Sequence, residues 1–155
     1  MAVTIAGSGS VVCGVGYAET TLKSSTASLI PPDNTIPQVT EGAEMLSLSY
    51  TPKLSTSFLY VTVSACVNNA GNVPITVAVF RDGAANAVGS QTSTSYGRSG
   101  TVTFTFRISA NSTAATTLSV RYGSSSGTSY LNQTDTSTYA GGIVSTIMVQ
   151  EVNGP

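Results

Sequence analysis

Pro31-Pro32-Asp33-Asn34-Thr35-Ile36-Pro37-Gln38-Val39-Thr40-Glu41-Gly42-Ala43-Glu44-Met45-Leu46-Ser47-Leu48-Ser49-Tyr50 divides the chain, and it carries three of the six prolines. Proline fixes φ, removes a backbone donor and pushes the preceding residue into extended conformations. Residues 31–37 therefore suit neither a helix nor a central strand; they read as an extended rail along a surface. Glu41-Gly42 turns the chain. Leu46, Leu48 and Tyr50 then fall on one side of an alternating run, with Ser47 and Ser49 opposite.

That period of two continues to the C-terminus. Residues 58–67 place Leu59, Val61, Val63, Ala65 and Val67 on one side. Their other side, Phe58, Tyr60, Thr62, Ser64 and Cys66, is half apolar, so this strand is expected to be covered on both faces. Alternation recurs over residues 73–81, 102–108 and 117–122, and 143–152 closes the series. Turn residues separate the runs at Asn68-Asn69, Asp82-Gly83 and 111–115. Residues 84–100 and 123–138 read as irregular or polar loop. About seven or eight strands and no helix predict an all-β chain, a β-sandwich of jelly-roll or TNF-like type. Leu46, Leu48, Leu59, Val61, Val63, Ile75, Val77, Val79, Phe104, Phe106, Leu118, Val120 and Ile147 are the expected core.

Upstream of the rail the chain is sparse. Gly7-Ser8-Gly9-Ser10 resembles a linker, residues 15–22 form a weak strand, and 23–28 read as a Ser/Thr loop. Residues 1–30 are thus expected to be an extended N-terminal docking arm, and 31–155 the sandwich domain.

At 155 residues the chain fits one domain. Charged residues make up 8%, against roughly 25% in an ordinary soluble domain; serine and threonine take their place. Little charge repulsion opposes self-association. The net charge is −1, and the six cationic residues are scattered, so no basic patch points to nucleic acid. No run approaches a membrane span, and residues 1–15 lack the charged start of a signal peptide. Cys13 and Cys66 fit either a bridge or two buried free thiols.

The chain has no histidine, which removes Ser-His-Asp and Cys-His nucleophile systems and His-based metal sites. Glu41 and Glu44 are a conceivable acid/base pair, but glycosidase-type carboxylates come from separate strands around a cleft. Asp33, Asp82 and Asp135 sit beside turn residues, and Gly14-Val15-Gly16 lacks the rest of a phosphate-binding fingerprint. No catalytic, metal or cofactor site is expected. Asn111-Ser112-Thr113 and Asn132-Gln133-Thr134 match the glycosylation sequon and read as loops. Arg81, Arg107 and Arg121 either pair across a subunit interface or line a sheet face. Phe58, Tyr60 and Cys66 are the candidate interface residues. Tyr96, Arg98 and Tyr130, with Tyr139, mark loops whose composition suits adaptable binding.

Pro32-Asp33-Asn34-Thr35-Ile36-Pro37-Gln38 with Glu41-Gly42, then Thr51-Pro52-Lys53, Ala78-Val79-Phe80-Arg81-Asp82, Ala85-Asn86-Ala87, Val120-Arg121-Tyr122-Gly123 and Gly141-Gly142, form a pattern over residues 31–152. It resembles a small β-domain of tailed-bacteriophage virion-surface proteins. The resemblance implies a compact jelly-roll-like, trimeric and non-enzymatic module, made in the host cytoplasm and displayed on the virion surface. A capsid decoration or cement protein, or a short head fibre, docked by its arm to the major capsid protein or another virion protein, fits that resemblance best. The alternative is a tail-fibre-type module that binds host cell-surface glycans.

Overall fold

The computed structural model describes residues 11–69, 71, 73–94, 100–134 and 142–153. Within them are ten strands and no helix. The strands are β1 (Val12–Thr20), β2 (Ser24–Thr26), β3 (Ala43–Tyr50), β4 (Phe58–Asn69) and β5 (Pro74–Arg81). They continue as β6 (Gly89–Thr94), β7 (Thr101–Ser109), β8 (Thr116–Ser124), β9 (Ser129–Leu131) and β10 (Ser145–Val152). One sheet runs β1-β10-β4-β9-β2, with β7 on the other side of β4; the second runs β3-β8-β5-β6. All pairings between strands are antiparallel.

The core lies between the sheets. Leu59, Val61, Val63, Ala65 and Val67 of β4 face Ile75, Val77 and Val79 of β5 and Leu118 and Val120 of β8 in one buried cluster. Eleven of the thirteen expected core residues belong to it; Phe104 and Phe106 are partly buried and pack against its edge. Their rings stack at 5.8 Å. A Cβ on Gly89 would lie 2.8 Å from the Phe106 ring, so the glycine lets β6 close over β7.

Three short or polar segments escaped the period-two reading. β2 and β9 span only three residues each, and β6, Gly-Ser-Gln-Thr-Ser-Thr, has no apolar side chain. Each is fixed by pairing with a neighbouring strand: β2 to β9, β9 to β4, and β6 to β5.

The expected arm needs correction. From Val12 on, residues 12–30 belong to the sandwich: β1 is zipped to β10 from Val12↔Val152 to Thr20↔Ser145, and Ile30 is buried. Residues 1–10 lie outside the described residues. The physical reason is a polarity inversion: Gly14, Gly16 and Ala18 turn inward, and their small size admits β3. A Cβ on Gly14 would come within 2.1 Å of the Tyr50 hydroxyl, and one on Gly16 within 2.7 Å of the Tyr50 ring.

The proline rail lies on the chain's own smaller sheet. Ile30 and Val39 cover Ala78 and Phe80 of β5, with Ala87 beside them. The Ile30 amide donates to the Ser124 carbonyl, Val39 to Ala85, and Ala87 to Pro37. Gly42 (φ 61°) makes the turn that ends the rail, and its amide donates to the Leu29 carbonyl. Hence β5, and not β4 as expected, is the strand with both faces covered: Ile75 to Phe80 are all buried.

Candidate interaction surface

With β5 of the smaller sheet covered by the chain itself, the larger sheet keeps an open outer face. Register places its side chains in three rows. The first row is Val15–Gln150–Tyr60–Arg107, the second Tyr17–Met148–Thr62–Thr105, and the third Glu19–Thr146–Ser64–Thr103. Val152 and Phe58 extend the face beyond the first row. Val15 and Tyr17 are 59% and 55% exposed. Phe58, Tyr60, Met148 and Cys66 are half-buried by their in-sheet neighbours.

Few charges interrupt this face. Arg107 spreads over the Phe58 ring, its Cζ 4.3 Å from the centroid, a cation–π placement. Glu19 accepts the Tyr17 hydroxyl at 2.6 Å. Between them hydroxyls pair across the strands, Thr62 with Thr105 at 2.9 Å and Ser64 with Thr103 at 3.1 Å. Such pairs satisfy the hydroxyls within the sheet.

The structure therefore places the candidate interface residues Phe58, Tyr60 and Cys66 on one face, and puts Tyr130 of β9 at its end, opposite Asn68. Tyr96, Arg98 and Tyr139 lie outside the described residues. Cys13 and Cys66 are unbridged, and burial pushes the Cys66 thiol pKa up. Arg107 lines the face. Arg81 and Arg121 serve the backbone instead: Arg81 donates to the Ser109 and Ala110 carbonyls, Arg121 to those of Glu41 and Gly42.

The carboxylates are likewise committed to structure. Asp33 caps its own turn at Thr35. Asp82 accepts from the Thr117 amide and the Thr116 hydroxyl; the first of these bonds leads in holding its pKa below the usual range. Glu41 accepts the Gln38 amide. Glu44 pairs in register with Arg121. Asp135 lies outside the described residues.

The sequence reading did not single out Glu151. It is fully buried, in phase with Ile147 and Val149 on the inward side of β10. That phase is the signal by which it could have been found. Its oxygens accept the Tyr50 hydroxyl (2.7 Å), the Ser57 hydroxyl (2.6 Å) and the amides of Lys53 (2.9 Å) and Leu54 (3.0 Å). Burial pushes its pKa up, but the bonds from Ser57, Lys53, Tyr50 and Leu54 more than offset that and hold it down at about 2. The carboxylate thereby stitches β10 to the turn between β3 and β4. Among the described residues there is no pocket beside it. Asn132 does similar work elsewhere, donating to the Thr20 and Leu22 carbonyls where β1 gives way to β2, and accepting the Ser145 hydroxyl.

No family model matches the chain, and none of the curated proteins matches it either.

Proposed function

We propose that the chain is a non-enzymatic structural protein of a bacteriophage virion surface, a decoration, cement or short head-fibre protein built from copies of itself. The observation that carries self-association is the broad outer face of the larger sheet, nearly free of charge and edged by exposed Val15 and Tyr17. A face with so little charge and with exposed apolar side chains at its edge suits contact with another protein surface. The phage assignment rests on the resemblance over residues 31–152. The strand order supports the jelly-roll form of that resemblance. Without β2 and β9, β1-β10-β4-β7 faces β3-β8-β5-β6, the arrangement that two Greek keys produce. A non-enzymatic role is supported by Asp33, Asp82, Glu41 and Glu151, whose hydrogen bonds hold turns and strands together.

In this reading the docking role passes from residues 1–30 to the residues ahead of β1. The test is antibody-gold labelling of particles purified from the lysate that produces the protein, with the full chain and a chain lacking residues 2–10. Labelled heads with the full chain and bare heads with the truncation are expected. Protein absent from particles overturns the assignment. Binding of both forms to host cells, without particles, favours the glycan-binding alternative.

A further inference from the structure

We propose that the outer face of the larger sheet pairs with the same face of a second copy, about a two-fold axis lying in the face along the diagonal from Val15 to Thr103. The three rows form a near-square. Four strands span roughly 14 Å between the outer backbones, and the four residue steps from Val15 to Glu19 span about 13 Å. Its two charged residues occupy opposite corners: Arg107 ends the first row, and Glu19 begins the third. Rotation about the other diagonal, from Val15 to Thr103, exchanges those corners. Glu19 of each copy then falls on Arg107 of the other, giving two ion pairs.

The remaining positions agree with the same axis. Val15, which is 59% exposed, meets its own counterpart. Tyr17 falls between Gln150 and Tyr60 of the second copy, and Thr103 meets Thr103 at the hydroxyl-rich end. An isologous contact requires this self-complementarity, each position meeting the one the axis makes its mate. Because the diagonal lies about 45° from the strands, the two sheets cross at about 90°, one of the two ways in which sheets pack face to face. The patch is small beside stable interfaces, so the pair is expected as a concentration-dependent equilibrium rather than a permanent dimer. A ring of three needs a head-to-tail contact and cannot use this axis.

The proposal stands apart from the virion assignment, and particle labelling does not bear on it. Sedimentation equilibrium of the full chain, Glu19→Arg, Arg107→Glu and the double exchange tests it. The wild type is expected as a monomer–dimer equilibrium. Each single reversal should weaken dimerisation at least about tenfold, and the double exchange should recover it to within about threefold. Val15→Asp, which sets two carboxylates on the axis, should abolish the dimer while unfolding at the wild-type denaturant concentration. A wild type that stays monomeric at the highest soluble concentration overturns the proposal. So does a trimer, or single reversals without effect, or a double exchange no better than the singles.

Discussion

On the smaller sheet, the outward positions Ala78 and Phe80 lie under Ile30 and Val39 and are fully buried; on the larger sheet, the outward residues of β4 are half-exposed and Val15 and Tyr17 stand open. The two faces began from similar patterns. Outward on β5 are Thr76, Ala78 and Phe80, and outward on β4 are Phe58, Tyr60, Thr62, Ser64 and Cys66. What separates them is a cover supplied by residues more than thirty positions away in sequence. Alternation tells which residues share a face, and a distant segment decides whether the second face is core or surface.

Lifting that cover should have a large effect. Gly42→Val places a β-branched residue at φ 61°, with its Cβ 2.7 Å from the Tyr122 carbonyl. We expect a loss of roughly 3–4 kcal/mol in denaturant unfolding, from strain and overpacking together. A loss below 1 kcal/mol would mean that the rail is not anchored there.

Glu151→Gln removes the charged acceptor that joins β10 to the turn between β3 and β4. The expected cost at pH 7 is about 2–3 kcal/mol. The folded carboxylate titrates at about 2, below its ordinary value of 4.5, so its contribution is complete above pH 4.5 and is lost as pH falls from there through 2. Wild-type stability should therefore drop across that window, while the glutamine variant lacks this component of the slope. Parallel curves for the two proteins would contradict the assignment.

A smaller effect is expected at the open edge. Phe104 packs against the core but keeps part of its ring in solvent. Phe104→Ala should cost about 1–2 kcal/mol, less than the ~3–5 kcal/mol typical of a fully buried phenylalanine. Smallest of all, Tyr17→Ser should change the unfolding free energy of dilute protein by less than about 0.5 kcal/mol, because the side chain touches little of the fold.

Much of the fold was legible because long strands with one core face announce themselves: β3, β4, β5, β7, β8 and β10 coincide with runs of alternating apolar residues. The polar strands were not legible, because Ser24–Thr26 and Gly89–Thr94 owe their extended state to neighbours' backbone groups, which leave no mark in side-chain hydropathy. β1 was read as a weak strand within an arm because its pattern is inverted, with glycines inward and Val15 and Tyr17 outward. The same inversion hid half of the open face of the larger sheet, although the outward phase of Phe58, Tyr60 and Cys66 in β4 was visible. Glu151 was overlooked because a carboxylate in a core register conflicts with hydropathy; only its donors, Tyr50, Ser57 and the 53–54 backbone, make the position intelligible.

The contrast between the covered and the open face is tested most directly by making the same change on each. Phe80→Ser and Tyr60→Ser, unfolded by denaturant side by side at a concentration where the protein is monomeric, compare the two outward positions. The covered-face account predicts a loss of about 3–5 kcal/mol for Phe80→Ser and less than about 1 kcal/mol for Tyr60→Ser. Equal losses, or a larger loss at Tyr60, would contradict it.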